Sequence, residues 1–242
     1  MKYRIVIAFD GRNFFGWQAQ KNKRTVQGEL TSAARAVFGE DATVTGCSRT
    51  DSGVHALGFT AMIEGRDFPV EKAVPALNYS LPDDISVLSA QIAPDDFHPR
   101  YSVRAKTYEY LIYCGKIRNP FCRGYKYQYC RDVDVGRINE ACGKLIGRHD
   151  FTAFMASGSK ITDAVREIYS CSAELDGDTL KITVTGNGFL YNMVRIIAGT
   201  LLSVSEGRLS PDDIPKIIES KNRFNAGKTL PPDGLYLVRA DY

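Results

Sequence analysis

The order of strand and helix patterns over the first 92 residues is what most constrains the fold of this chain. Lys2 to Asp10 is rich in Ile and Val and predicts a strand, and Thr25 can cap a helix over Val26 to Phe38. Two more strands, a second helix and a fourth strand follow in the pattern, at 42–46, 55–63, 71–78 and 85–92. Strand, helix, strand, strand, helix, strand is the order of a ferredoxin-like unit.

The second half of the chain repeats this order loosely. Its predicted elements are a strand over 106–113, a helix over 135–145, a hairpin of 164–175 with 179–185, helices over 189–207 and 210–219, and a closing strand over 235–239. We therefore predict an α+β protein of two ferredoxin-like, RNA-recognition-like halves, residues 1–100 and 101–242. Each half would have an antiparallel sheet with helices on one face, and a central active-site cleft would form between the halves. Open sheet faces of this kind bind RNA.

Composition sets the broad class of the protein. The 242 residues are 44% hydrophobic and 24% charged, which predicts a sizeable core, and no apolar run reaches the roughly 18 residues of a membrane span. The six cysteines include no Cys-x-x-Cys pair, so reduced thiols in a cytoplasmic protein are expected. The net charge of +3 permits a polyanionic partner without requiring one.

Arg49-Thr50-Asp51-Ser52-Gly53 lies between two predicted strands and is the strongest candidate for chemistry. On a strand, Arg49 and Asp51 would point to the same side, and a guanidinium favours the ionised form of a carboxylate. A fixed, ionised aspartate can act as a nucleophile or a base. Asp51 can also be an ordinary turn or cap residue. Gly53 would allow a positive φ and a tight turn.

His55 raises a different possibility, an Asp/His hydrolase in which it pairs with Asp51 around a metal or a water. The only other histidines are His98 and His149, and no His/Asp/Glu cluster has the spacing of metal ligands. We therefore interpret His55 as a packed or hydrogen-bonded residue and predict no metal site.

Several segments occur in a specific order over nearly the whole chain. Besides residues 49–56 they include Asp10-Gly11, 14–20, 25–27, 77–82, 96–100, 106–110, 149–151, 189–195 and 231–235. In this ordered set the chain resembles the tRNA pseudouridine synthase A family. The resemblance implies an isomerase that converts uridine to pseudouridine at positions 38, 39 and 40 of the tRNA anticodon stem-loop. It also implies that no metal or organic cofactor is needed and that a homodimer grips one tRNA.

The resemblance assigns roles to single residues. Asp51 aligns with the family aspartate that attacks the target nucleoside, either at the base or at the anomeric carbon of the sugar. Tyr108 matches the tyrosine that stacks on the target uracil, and Arg195 matches the basic partner of the aspartate. Arg49 would enter the RNA stack or hold a phosphate. Asp51 comes from the first half and its two partners from the second, so we expect the pocket where the halves join.

The remaining candidate is the basic run of Lys21, Lys23 and Arg24. It can be a solvated loop or can contact RNA phosphates, which supply most non-specific affinity for RNA. The alternative to an enzyme is a non-catalytic RNA-binding protein of two duplicated RNA-recognition-like domains. That alternative requires exposed aromatic residues on an open sheet and no pocket around Asp51.

Overall fold

The computed structural model describes residues 1–158 and 161–242, and these divide into two compact units. Unit 1 comprises Met1–Arg104 and Tyr236–Tyr242, and unit 2 comprises Ala105–Leu235. The sequence pattern placed the whole of 101–242 in the second half, whereas residues 101–104 and the last seven residues group with unit 1. The α+β class is confirmed in both units.

Unit 1 has the predicted order of elements. They are β1 (Lys2–Phe9), α1 (Val26–Phe38), β2 (Thr43–Gly46), β3 (His55–Glu64), α2 (Val70–Ser80) and β4 (Ile85–Ile92). β1 runs antiparallel to both β3 and β4, and β2 pairs antiparallel with β3. Alternate residues of β1 are buried, as expected for a strand with one face on the core. The Thr25 hydroxyl caps α1 by accepting the amide hydrogen of Gly28 at 3.3 Å, as predicted.

Most strands of unit 2 pair with antiparallel neighbours. The elements of this unit are β5 (Ala105–Tyr113), β6 (Tyr127–Gln128), α3 (Val135–Leu145), β7 (Gly147–Asp150), β8 (Val165–Asp176), β9 (Thr179–Gly186), α4 (Met193–Ser205) and α5 (Asp213–Ser220). β9 lies between β5 and β8, and β7 pairs with the outer edge of β8. α3 packs against β8, where the Asn139 side-chain amide both donates to and accepts from the backbone of Ala173 at 2.8 Å.

The closing strand, β10 (Leu235–Asp241), returns to the sheet of unit 1. It runs parallel to β3, with Tyr236 opposite His55 and Leu237 opposite Ala56. Because parallel neighbours need a long connection between them, strand pairing of this kind is decided by tertiary contacts and not by the local pattern. Residues 236 and 237 therefore add a parallel neighbour to β3, which also pairs with β1.

Two helix boundaries predicted from the sequence are wrong. The predicted helix over 189–207 begins only at Met193, because Asn192 takes a left-handed conformation with φ of 60°. The predicted helix over 210–219 begins at Asp213. The short strands β6 and β7 were not predicted at all. Both wrong boundaries leave a non-helical segment just before the helix.

Two further findings concern the class of the protein. Within residues 1–158 and 161–242, no helix has both the length and the apolar character that a membrane crossing demands. All six cysteines lie in this part of the chain as free thiols, and five of them are buried.

Candidate active site

The loop that carries Asp51 is formed by residues 47–54 and joins β2 to β3. Asp51 is half-buried, Arg49 is exposed and Thr50 is buried. The Asp51 carbonyl accepts the amide hydrogen of Val54 at 3.2 Å, and Gly53 has a φ of +80°, which confirms the predicted tight turn. Since the loop lies outside any strand, the strand alternation that placed Arg49 and Asp51 on one side does not apply here.

A second loop, residues 10–20 between β1 and α1, holds the Asp51 loop through its backbone. The amide of Trp17 donates to the Thr50 carbonyl at 3.2 Å. The Phe14 carbonyl accepts both the Ser52 hydroxyl at 3.1 Å and the Gly53 amide at 3.4 Å. These bonds lie on both sides of Asp51 in the sequence, and they therefore fix the backbone from which its carboxylate extends.

Two glycines allow this close approach of the two loops. A Cβ on Gly11 would overlap the Val54 carbonyl oxygen, and a Cβ on Gly16 would overlap that of Thr50. Gly16 also has a φ of +82°, a conformation that L-residues with a side chain rarely adopt. Both positions therefore require glycine if the loops are to stay in contact.

Trp17 anchors the supporting loop in the core of unit 1. Its side chain is 3% exposed and stacks on Phe59 with ring centroids 4.2 Å apart. This contact explains why the only tryptophan of the chain lies beside the candidate site, and it secures the amide that bonds to Thr50.

His55, the first residue of β3, is buried and contacts the supporting loop 10–20 and β10. It is 2% exposed, its Nδ1 accepts the Gly11 amide hydrogen at 3.1 Å, and its ring stacks on Tyr236 at 4.7 Å. The same nitrogen lies 3.3 Å from a carboxylate oxygen of Asp10. The packed, hydrogen-bonded interpretation of His55 is confirmed. Among residues 1–158 and 161–242, no group of three His, Cys, Asp or Glu side chains has a geometry that could hold a metal ion.

In unit 2, two tyrosines of β5 differ in their surroundings. Tyr108 is 6% exposed, lies opposite Val184 of β9 and packs edge-on against Phe189 at 5.0 Å. Tyr110 is fully buried and donates its hydroxyl to the Pro231 carbonyl at 2.7 Å. Burial raises the pKa of Tyr110 well above its usual value. Tyr110 is thus a core residue of unit 2.

Arg195 lies in the first turn of α4 and is half-buried. Its Nε donates to the Leu230 carbonyl and its Nη1 to Asn192 Oδ1, both at 2.6 Å. The left-handed conformation of Asn192 ends the preceding loop and places its amide within reach of this guanidinium. Asp51 lies in unit 1 and Arg195 in unit 2, so an ion pair between them stays a prediction.

The basic run divides into two kinds of residue. The Arg24 guanidinium pairs with both carboxylate oxygens of Asp84 at 2.7 and 2.8 Å, and with Glu29 at 2.9 Å. These hydrogen bonds, that of Asp84 above all, raise the pKa of Arg24. Lys21 and Lys23 are exposed. Arg24 therefore serves the structure of unit 1, while the two lysines face solvent.

Comparison with known proteins identifies the family of the chain. The profile of a family described as tRNA pseudouridine synthase matches residues 5–102 and 141–242. The chain belongs to the tRNA pseudouridine synthase family. It is therefore an isomerase that acts on tRNA.

Individual relatives cover the whole length of the chain. A protein named tRNA pseudouridine synthase A from Caldicellulosiruptor saccharolyticus is 48% identical over 98% of both chains. Its namesake from Bacillus licheniformis is 44% identical over 100% of this chain and 99% of the relative. Among solved structures, one titled as a crystal structure of a Cbf5-Nop10-Gar1 complex matches with a TM-score of 0.40 and 11% identity. That match covers 97% of this chain and 57% of the other.

The supporting residues of this synthase-family chain were missed by the sequence reasoning. Gly11, Gly16 and Asn192 lie within the motif segments, but only the structure reveals that they hold the Asp51 loop and the Arg195 side chain. A signal was available for Gly16, which lies between Phe15 and the only tryptophan of the sequence, Trp17. The sequence offered no comparable signal for Asn192.

Proposed function

We propose that the protein converts uridine to pseudouridine at positions 38, 39 and 40 of the tRNA anticodon stem-loop, with Asp51 as the nucleophile. The observation that carries this proposal is the fixed, half-buried position of Asp51 in a loop held on both sides by backbone hydrogen bonds. A nucleophile must be presented in one orientation to react efficiently, and such a loop provides it. Family membership and the motif order support the substrate and the reaction.

The reaction exchanges one bond of the target nucleoside for another. The N1–C1′ bond breaks, the uracil turns, and C5 bonds to C1′ while C5 loses its proton and N1 gains one. Asp51 would attack either C6 of the uracil or C1′ of the ribose, and both routes use an ionised carboxylate. Either route returns the carboxylate at the end, so the atoms of the substrate are conserved.

Three further residues complete the proposed site. Tyr108 would stack on the target uracil, and its edge-on contact with Phe189 holds the ring in place for that role. Arg195 would pair with Asp51, with Leu230 and Asn192 fixing the plane of its guanidinium. Arg49, exposed on the Asp51 loop, would enter the RNA stack or hold a phosphate.

The wider setting follows from the same proposal. Lys21 and Lys23 would contact phosphates, since both are exposed, whereas Arg24 is occupied by Asp84 and Glu29.

We place the protein in the cytoplasm, where unmodified tRNA and reduced thiols are found. We also infer a homodimer in which both subunits contact one tRNA. Sedimentation that detects only monomer at working concentration would overturn the dimer.

Asp51→Asn tests the nucleophile. Because asparagine keeps the shape but cannot attack, we expect pseudouridine formation to fall by about 10⁴-fold or more while tRNA affinity stays close to that of the native protein. Release of tritium from C5-labelled uridine in an unmodified tRNA measures the reaction, and filter binding measures affinity.

Asp41→Asn is the matched control, because Asp41 is an exposed turn residue in the same unit. It should change neither measurement. Activity retained by Asp51→Asn would remove Asp51 as nucleophile. A native protein that binds tRNA but forms no pseudouridine would favour the non-catalytic RNA-binding alternative.

A further inference from the structure

Phe224 is the most exposed of the large hydrophobic side chains in the described part of unit 2. It is 94% exposed and borders a cavity of about 370 Å³. The walls of the cavity are residues 156–157 on one side and the loop 223–229 on the other. A single exposed phenylalanine is ordinary on a protein surface, but one at the edge of a cavity of this size is a binding feature when its surroundings are fixed and charged.

The loop that carries Phe224 is held rigidly. The Phe224 amide donates to Asn222 Oδ1 at 3.0 Å, and the Gly227 amide donates to the buried Thr200 hydroxyl at 2.8 Å. Gly227 also lies so close to α4 that a Cβ there would come within 2.5 Å of the Gly199 backbone. The aromatic ring is thus presented from a fixed backbone, which lowers the entropy lost when a partner stacks on it.

The charge of the cavity favours an anionic partner. Of the described residues that line it, Arg223 and Lys228 are cationic and none is acidic. Arg223 is partly occupied, because its Nη2 donates to the Thr229 hydroxyl at 2.8 Å. The Lys228 ammonium group is exposed and donates to the Tyr127 hydroxyl at 3.0 Å, which leaves it two further hydrogens to donate. An aromatic side chain and a cation in the lining of one cavity suit the base and the phosphate of a nucleotide.

Both walls of the cavity are attached to the segment that carries Arg195. The Ala156 amide on one wall donates to the Tyr191 carbonyl at 3.1 Å. On the other wall, the loop ends at Leu230, whose carbonyl accepts from Arg195 Nε at 2.6 Å. Both walls of the cavity are therefore linked by hydrogen bonds to segment 191–195, which contains a residue that the proposed function places at the target uridine.

From these observations we propose that the cavity binds a tRNA nucleotide next to the target uridine, with Phe224 stacked on its base and Lys228 on its phosphate. The inference rests on the proposed function, because it takes Arg195 as a marker of the reaction site. The ligand is single-stranded or unstacked RNA, since a base inside a duplex offers no free face to an aromatic ring.

The test uses the full chain and an unmodified anticodon stem-loop RNA. We expect Phe224→Ala to weaken binding by roughly 5- to 150-fold, the usual cost of removing one aromatic stack on a single-stranded base. Phe224→Trp should restore the affinity. Lys228→Ala should lower the slope of log affinity against log salt by about 0.7, as one lost phosphate contact does on a single strand. Phe121→Ala, at an equally exposed phenylalanine of unit 2, is the matched control and should bind as the native protein does.

A second measurement identifies the nucleotide. Two RNAs are compared, each with one abasic nucleotide on one side of the target uridine. One of them should bind the native protein more weakly than the intact RNA does, yet bind Phe224→Ala as well as the intact RNA does. Removing the base and removing the ring break the same contact, so the two losses of affinity are not additive. The inference would be overturned if Phe224→Ala bound the RNA with native affinity, or if Phe121→Ala lost as much affinity as Phe224→Ala. It would also be overturned if Phe224→Ala lost affinity because the protein dissociated into monomers. These outcomes are distinct from failure of the proposed function, in which the native protein itself forms no pseudouridine.

Discussion

The two units hold their proposed site residues in different ways. In unit 1 the loop around Asp51 is fixed through its backbone, by bonds to Phe14 and Trp17, and the carboxylate is carried along with it. In unit 2 the Arg195 side chain is itself held, by Leu230 and Asn192. The difference suits the proposed chemistry. An aspartate side chain is short, so fixing its backbone largely fixes the carboxylate. An arginine side chain is long, so its guanidinium must be held by hydrogen bonds if its rotamer is to be fixed before the substrate binds.

Both units nevertheless use glycine to bring a supporting segment close. Gly16 lets the supporting loop touch Thr50 beside Asp51, and Gly199 of α4 lets the loop 223–229 touch the helix at Lys228. The first contact is next to the proposed nucleophile and the second is next to the proposed nucleotide cavity. Substitutions at these two glycines should therefore affect different steps, which makes the comparison testable.

The largest effect is expected at Gly16. In Gly16→Ala the new Cβ overlaps the Thr50 carbonyl oxygen and the backbone has a positive φ, so the Asp51 loop must shift. We expect kcat to fall by about 100-fold, the cost of displacing a reacting group by roughly 1 Å, with tRNA affinity little changed. Single-turnover kinetics with tRNA measure this. A loss confined to KM would show that the loop positions substrate and not Asp51.

A smaller effect on kcat is expected at Gly199. In Gly199→Ala the Cβ overlaps the Lys228 carbonyl oxygen, so the loop must move away from α4. Strain of this kind lowers the free energy of unfolding by about 1–3 kcal/mol, which urea denaturation would measure. We expect tRNA affinity to fall more than kcat does. If kcat drops as far as in Gly16→Ala, the two glycines do not separate the two steps.

The smallest effect concerns the basic run. Arg24→Gln removes the pairs with Asp84 and Glu29 and should lower the free energy of unfolding by about 1 kcal/mol, since these groups are partly exposed. It should leave the salt dependence of tRNA binding unchanged. Lys21→Gln is the matched variant and should do the reverse, lowering the salt slope by about 0.7–0.9 with native stability. If Arg24→Gln lowered the salt slope and Lys21→Gln did not, Arg24 would be the residue that contacts RNA.

Local structure was largely predictable from the sequence. The first strand, the Thr25 cap and the Gly53 turn depend on neighbouring residues, and the structure confirms each of them. The helix over 189–207 shows where this reasoning fails. Its apolar residues do not mark a helix start, and the left-handed Asn192 delays the start to Met193. The polar strand β7 was missed because its residues carry no strand pattern.

The candidate site was predictable only in part. The sequence alone determined which residues could carry chemistry, since Asp51, Tyr108 and Arg195 lie in motif segments recognisable in order along the chain. Only the tertiary structure decided what surrounds them. Arg24 bonds to Asp84, sixty residues away, and β10 returns to β3 across the whole chain. Contacts between residues so far apart in sequence depend on the packing of the complete fold, and local patterns do not encode them.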